Sequence, residues 1–306
     1  MGLAVPQYGR FADPGLAASV AAAAEEIGYD GLWVGDRLLT PTAPRDPYPG
    51  GDGTIPAAHR VFLDPLTMLV HVAGATRRVR LGTSTLNAFW MPPVVLARAL
   101  TGVDVVSGGR LDVGLGLGWS ADEYQAAGVP WEGRGARLEE TLDVLDAVWA
   151  DGETVRHDGR LWTVPESVVL PKPVQRPRPP VLLGGFSAAA LERAGRRGDG
   201  WLAGGAPLPV LHDAWTAVRH HAERAGRDPD TLRLVLRANP VITGEPAAPG
   251  RVPGRGTLDQ LADYFAEAAA TLGAEALFDP HLAARDAAHY RELAADLHAR
   301  LTERTP

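Results

Sequence analysis

Short runs of β-branched and aliphatic residues alternate with longer stretches of helical period about eight times along the chain, and this alternation limits the fold more than anything else in the sequence. It is the signature of βαβ units built around a parallel sheet. The predicted strands cover residues 3–6, 31–35, 79–85, 111–117, 180–183, 200–203, 232–237 and 275–278. Two segments repeat one another, Gly28-Tyr29-Asp30-Gly31-Leu32-Trp33 and Gly198-Asp199-Gly200-Trp201-Leu202, each fitting a helix exit that feeds a strand. Similar units favour a closed barrel over an open sheet with a second domain. The expected fold is therefore α/β, a (β/α)8 TIM barrel in one domain, residues 1–306, a length that such barrels commonly reach. Two departures are expected: a long loop after strand 2, residues 37–60, rich in Pro, Gly and Asp, and an insertion before strand 5, residues 151–180. In the insertion, 154–156 and 161–164 flank His157-Asp158-Gly159-Arg160, which reads as a hairpin turn.

The helices carry start signals. Asp13-Pro14 supplies an N-cap and an N1 proline, with Leu16, Val20, Ala23 and Ile27 on one face and Gly28 at the exit. Thr257-Leu258-Asp259-Gln260 reads as a capping box followed by the stripe Leu261, Phe265, Ala268 and Leu272. Leu138, Leu142, Leu145 and Trp149 form a third stripe and, like the others, belong to the core.

Composition narrows the function. The net charge of −7 offers no basic field for a phosphate backbone, so no nucleic-acid partner is expected. No apolar run approaches the roughly 20 residues of a membrane span and no basic leader opens the chain, which points to a cytoplasmic enzyme. Cysteine is absent, removing thiolate chemistry and cysteine-ligated metals, and Lys172 is the only lysine, which makes a Schiff-base barrel improbable. His220 and His221 point to different faces of a helix and no H-x-H strand motif exists, so no catalytic metal is expected. Of the nine histidines, His59 alone falls in a loop near the expected pocket.

In such barrels the chemistry sits at the C-terminal strand ends. Those ends are Gln7, Asp36-Arg37, Ser84 to Asn87, Gly116 to Trp119, Gly184 to Ser187, Asn239 and Asp279. Val181-Leu182-Leu183 runs into Gly184-Gly185-Phe186-Ser187 and a helix start; this is either an anion site, where free first-turn amides meet a phosphate, or a plain βα turn with Ser187 as its N-cap. Gly114-Leu115-Gly116-Leu117-Gly118-Trp119 has the glycine density of a dinucleotide loop but not its spacing, and is read as a βα loop that lets a flat ring approach. Trp119 either lines that pocket or packs under the insertion.

Taken in order, Trp33-Val34-Gly35-Asp36, Leu81-Gly82-Thr83-Ser84, Ser107-Gly108-Gly109-Arg110-Leu111 with the 114–119 loop, Gly184-Gly185-Phe186-Ser187 and Asp199-Gly200-Trp201 resemble the luciferase-like flavin-dependent oxidoreductases over nearly the whole chain. The resemblance implies a luciferase-like oxidoreductase or monooxygenase that binds FMN or the 8-hydroxy-5-deazaflavin coenzyme, with NAD(P)H as a reductant, a small organic substrate and a homodimeric state. It implies a cis Ser84-Thr85 peptide behind the ring. It also implies cofactor contacts from Gln7, Ser84, Thr85, Asn87, Gly116, Trp119, Tyr124, Gly184, Gly185, Phe186 and Ser187. Catalytic candidates are Asp36, Arg37 and His59. Many deazaflavin-dependent members carry Asp-His where this chain has Asp36-Arg37. Arg37 cannot serve as a general base; it either pairs with an anionic substrate or a reduced ring, or lies on the surface of the long loop. The missing histidine also motivates an alternative, a flavin-binding or ligand-carrying barrel without catalysis. The pocket walls are expected from 37–60, 151–180 and 240–256.

Overall fold

Eight short strands, most of their residues buried, pair in parallel and close on themselves: β1 (Gly2–Ala4), β2 (Gly31–Val34), β3 (Arg80–Thr83), β4 (Leu111–Gly116), β5 (Val181–Gly184), β6 (Gly200–Gly204), β7 (Arg233–Ala238) and β8 (Ala274–Phe278). All eight predicted strands are present, with ends shifted by a few residues at most. The register runs Leu3 to Leu32, Leu32 to Leu81, Leu81 to Leu111, Val113 to Val181 and onward, and Leu3 against Phe278 closes the ring. Burial on both strand faces is what a parallel sheet under helices demands. Trp33, Leu182, Leu202, Val235 and Leu277 form a cluster of their own, distinct from the outer core. The Trp33 indole lies across Gly82, where a Cβ would sit 2.3 Å from Cε3. The structure, a computed structural model, describes residues 1–248 and 250–304. Pro249, Thr305 and Pro306 of the expected domain, the first also part of loop 240–256, lie outside the described residues.

The outer ring is α1 (Pro14–Ile27), α2 (Pro65–Ala75), α3 (Pro93–Ser107), α4 (Arg134–Trp149), α5 (Ala188–Arg197), α6 (Leu208–Arg224), α7 (Leu258–Leu272) and α8 (Ala287–Arg304). The predicted caps form: Asp13 accepts from the Leu16 amide, Gly28 closes α1 at φ 111°, and Thr257 with Gln260 completes the capping box of α7. The apolar stripe of α1 is rotated from the predicted one. Ala17, Val20, Ala21 and Ala24 are buried while Ile27 is exposed, because the small side chains seat the helix against α2 and α8.

The insertion is a hairpin, Thr154–Asp158 with Thr163–Val168, so the strands run longer than predicted and the turn falls at 159–162. It does not wall the barrel mouth. The Glu140 carboxylate on α4 accepts from the Leu161 and Trp162 amides at 2.7 and 2.6 Å, and Lys172 Nζ donates to the Val148 carbonyl at 2.7 Å, fastening the insertion along α4. Nor do the described residues of 240–256 line the mouth; Val241–Ile242 and Arg255–Gly256 pair with each other instead. The long loop does form a wall. Glu123 on a short helix, Ala121–Ala126, accepts from the Leu38 and Leu39 amides at 2.8 and 3.3 Å, and Ala121 donates to Asp46 at 2.8 Å.

Candidate active site

Two cavities meet at the C-terminal mouth of the barrel. One is a groove of about 540 Å³, the other a pocket of about 290 Å³, and both are lined by Ser84, Thr85, Gly118, Trp119, Gly204 and Arg237. The Ser84-Thr85 peptide between them is cis, as the resemblance implied. Gly116 permits that arrangement: a Cβ there would lie 2.7 Å from Thr85 Oγ1. Asn87 braces the same corner, its amide donating to Asp36 at 2.9 Å and its side chain to the Leu117 carbonyl at 3.1 Å.

The far end of the groove is the turn Gly184-Gly185-Phe186-Ser187. Gly185 takes φ 123°, open to glycine at little cost. Ser187 caps α5 by accepting from the Ala190 amide at 3.3 Å, while Trp201 Nε1 donates to the Gly185 carbonyl at 2.9 Å. The amides of Ser187, Ala188 and Ala189 find no acceptor among the described residues. Arg134, stacked 3.8 Å from the Trp131 ring centroid, lines the same groove. Unpaired first-turn amides and a guanidinium lining the same groove are the elements that an anion site requires.

The pocket holds the three catalytic candidates together: Asp36, Arg37 and His59, with Tyr8, Tyr48, Phe62, Trp90 and Trp119 around them. Burial pushes the Asp36 carboxyl up to about 6, aided by the neighbouring Glu123 and Asp64 carboxylates and opposed by the Asn87 amide and Arg37. His59, in the turn Ala57–Arg60, is brought down to about 4 by burial and by the Arg37 and Arg237 charges, and is therefore neutral at physiological pH. Arg37 is not a surface residue. Its side chain, 6% exposed, lies 3.7 Å from Glu123 and 5.0 Å from the Trp119 ring centroid. Trp119 packs against Tyr48 at the cavity, not under the insertion.

Beneath the mouth lies a network that sequence reasoning missed. Arg237 near the end of β7 donates to the Ser84 carbonyl and to Asp279, and lines both cavities. Asp279, fully buried just past β8, also accepts from Asn239 Nδ2 at 2.8 Å, Tyr8 Oη at 3.2 Å and His281 Nδ1 at 2.6 Å. Its carboxyl is held well below the usual range by His281 and Arg237, which outweigh burial. The Gln7 amide donates to His281 Nε2 at 3.1 Å, so the proton of that ring sits on Nδ1. His281 is thus a second imidazole at the strand ends, although His59 alone was expected there. Asn239 and Asp279 stood among the strand ends; Arg237 did not, because one basic residue in a strand carries no motif.

Three expected cofactor contacts do not line the groove: Gln7, Tyr124 and Asn87, the last of which lines the pocket instead. The Gln7 carboxamide is committed to the Gly35 and Leu63 carbonyls and the Gly35 amide, tying β1 to β2. Tyr124 is buried among Phe89, Trp90 and Trp131 and donates to the Leu117 carbonyl. Among the described residues no cluster of three or more His, Asp or Glu side chains is placed to hold a metal.

Comparison with known proteins agrees with this geometry. An uncharacterised protein of Mycobacterium tuberculosis is 33% identical over 236 residues, 73% of this chain and 79% of that one. The F420-dependent glucose-6-phosphate dehydrogenase of Nakamurella multipartita is 31% identical over 229 residues, 73% of this chain and 62% of the enzyme. A crystal structure of the monooxygenase RslO1 from Streptomyces bottropensis shares the fold, with a TM-score of 0.78 at 20% identity over 99% of each chain. The family described as luciferase-like monooxygenase matches residues 5–304. With the closed barrel, the cis peptide and the anion-ready turn in place, the match means that this chain belongs to the luciferase-like monooxygenase family and is a redox enzyme of that kind.

Proposed function

We propose that the groove binds FMN or the 8-hydroxy-5-deazaflavin coenzyme, and that a hydride passes between its ring and a small organic substrate in the adjoining pocket. The observation that carries this is the layout: an anion site at one end of a groove whose other end opens on Asp36, Arg37 and His59 across Ser84, Thr85 and Arg237. The residues fit such a cofactor. Unpaired amides at 187–189 with Ser187 and Arg134 would hold its phosphate, and Gly116 and Gly118 line the groove where its ring would lie. Either ring, when bound, supplies a hydride donor and acceptor, and reduced FMN adds reactivity toward oxygen.

The protein's part is positioning and charge. Trp119 and Arg237 stand where the two cavities join and fix how two flat molecules can face each other. Asp36, titrating near neutrality, can hold or release a proton at its carboxylate in the pocket. The long loop, stitched to the short helix by Leu38 donating to Glu123 and Asp46 accepting from Ala121, shields the pocket from water. We extend the proposal to NAD(P)H as the electron source for FMN, to a homodimer and to the cytoplasm; no described helix is long and apolar enough to cross a membrane. Titration of the purified protein with each cofactor, followed by absorbance and fluorescence, tests the reading. One of the two should bind at micromolar concentration or below and support substrate turnover, whereas failure of both to bind refutes it.

A further inference from the structure

The charges of the pocket are already matched to one another. Arg37 lies against Glu123, their side chains 6% and 7% exposed, and Glu123 also accepts the Leu38 and Leu39 amides. Arg237 is taken up by Asp279 and the Ser84 carbonyl. Asp36 faces the pocket with only the Asn87 amide as a hydrogen-bond partner. At or directly behind the lining, three carboxylates, Asp36, Glu123 and Asp279, therefore stand against two guanidiniums, Arg37 and Arg237. Among the described residues lining the pocket each guanidinium already faces a carboxylate, and when Asp36 is ionised an incoming anion meets one surplus negative charge.

Among the described residues that line the pocket, His59 alone has a side-chain polar atom that is both buried and without a partner. His59 is 8% exposed, neither of its ring nitrogens is hydrogen-bonded within the protein, and Nδ1 is wholly buried. An unpaired acceptor is tolerated in the interior better than an unpaired donor, which puts the proton on Nε2, the ring nitrogen left within reach of a ligand. The remaining walls are the faces and edges of Tyr8, Tyr48, Phe62, Trp90 and Trp119, around about 290 Å³. That is the small end of the range for ligand sites.

We infer that this pocket selects uncharged substrates: a small molecule with an apolar body that packs on the aromatic walls and one carbonyl or hydroxyl oxygen that pairs with His59 Nε2. It excludes phosphorylated and carboxylated compounds, so it departs from the sugar phosphate named for the Nakamurella relative. The inference rests on the proposed function above only in taking the groove, not the pocket, as the cofactor's place. The test is calorimetric titration of the cofactor-loaded protein with cyclohexanone, cyclohexanecarboxylate and glucose 6-phosphate. Cyclohexanone should bind at least tenfold more tightly than either anion. His59→Ala should weaken it about tenfold, and His59→Gln, which keeps a donor, should restore most of that loss. Equal or tighter binding of either anion, no measurable binding of cyclohexanone, or an unchanged affinity in His59→Ala overturns the inference. If neither cofactor loads, the proposed function fails, and the same titrations of the cofactor-free protein still read the charge preference of the pocket.

Discussion

Replacing Arg237 with Met would remove the cation that joins the Ser84 carbonyl to the buried Asp279 carboxylate. Breaking a buried pair by deleting one partner costs about 3–5 kcal/mol, since the other charge stays desolvated. Asp279 keeps His281, Asn239 and Tyr8 as partners, which places the loss near the lower figure, about 3 kcal/mol. For a chain of 306 residues, whose unfolding entropy is about 0.64 kcal/mol/K, that is a fall in Tm of roughly 5 °C. The paired carboxylate has a lowered folded pKa, so its contribution is present above the unfolded value and fades as pH falls through the folded one. The deficit of Arg237→Met should therefore be full at pH 7, persist to about pH 4 and shrink only below it. Adding Asp279→Asn removes the stranded charge, and the double variant should recover at least half of the lost stability. Urea unfolding of the four proteins in that cycle reads the coupling. A loss below about 1 kcal/mol for the single variant, or strictly additive effects, would show that the pair is not the strut described here.

Three shorter predictions concern the two cavities. Asp36 has a folded pKa of about 6, above its unfolded value, so the native state holds the extra proton and loses stability as pH rises through 6, on the order of 3 kcal/mol in all. His59 slopes the other way, so the comparison to make is Asp36→Asn against the parent: the variant should gain relative stability between pH 5 and 8 in urea titrations and lose the kcat/KM inflection near pH 6. Gly185→Ala forces a Cβ to 2.8 Å from Ala190 at φ 123° and should weaken cofactor binding by roughly 10- to 100-fold in a fluorescence titration, matching a strain of about 1–3 kcal/mol. Ser187→Ala removes the α5 cap and should cost about 1 kcal/mol of stability, with a parallel loss of cofactor affinity.

The barrel was legible because its signals are local. Asp13, Gly28 and Thr257 act within one helical turn, and each strand carries its own apolar run, so caps and strands emerge from short windows. The Gly184 turn was legible for the same reason. What escaped is what closure creates. Tyr8 meets Asp279 across 271 residues and Arg237 meets Ser84 across 153, and no spacing in the sequence foretells either. Tyr124 lies outside the groove lining because three aromatic neighbours turn it inward, a fact of packing and not of motif. The walls of the pocket were only one-third foreseen. The long loop is a wall because Glu123 and Asp46 pin it, while the hairpin is drawn away by Glu140.

The seam where β1 meets β8 has a bearing on synthesis. Tyr8 leaves the ribosome 271 residues ahead of Asp279, and Gln7 274 residues ahead of His281, yet they form one network under the mouth. A nascent chain that has made the groove, with Ser84 and the Gly184 turn already in place, still lacks the carboxylate that holds Arg237. Cofactor affinity should therefore rise late, in a single step, as β8 emerges, and a chain stopped before Asp279 should not retain it.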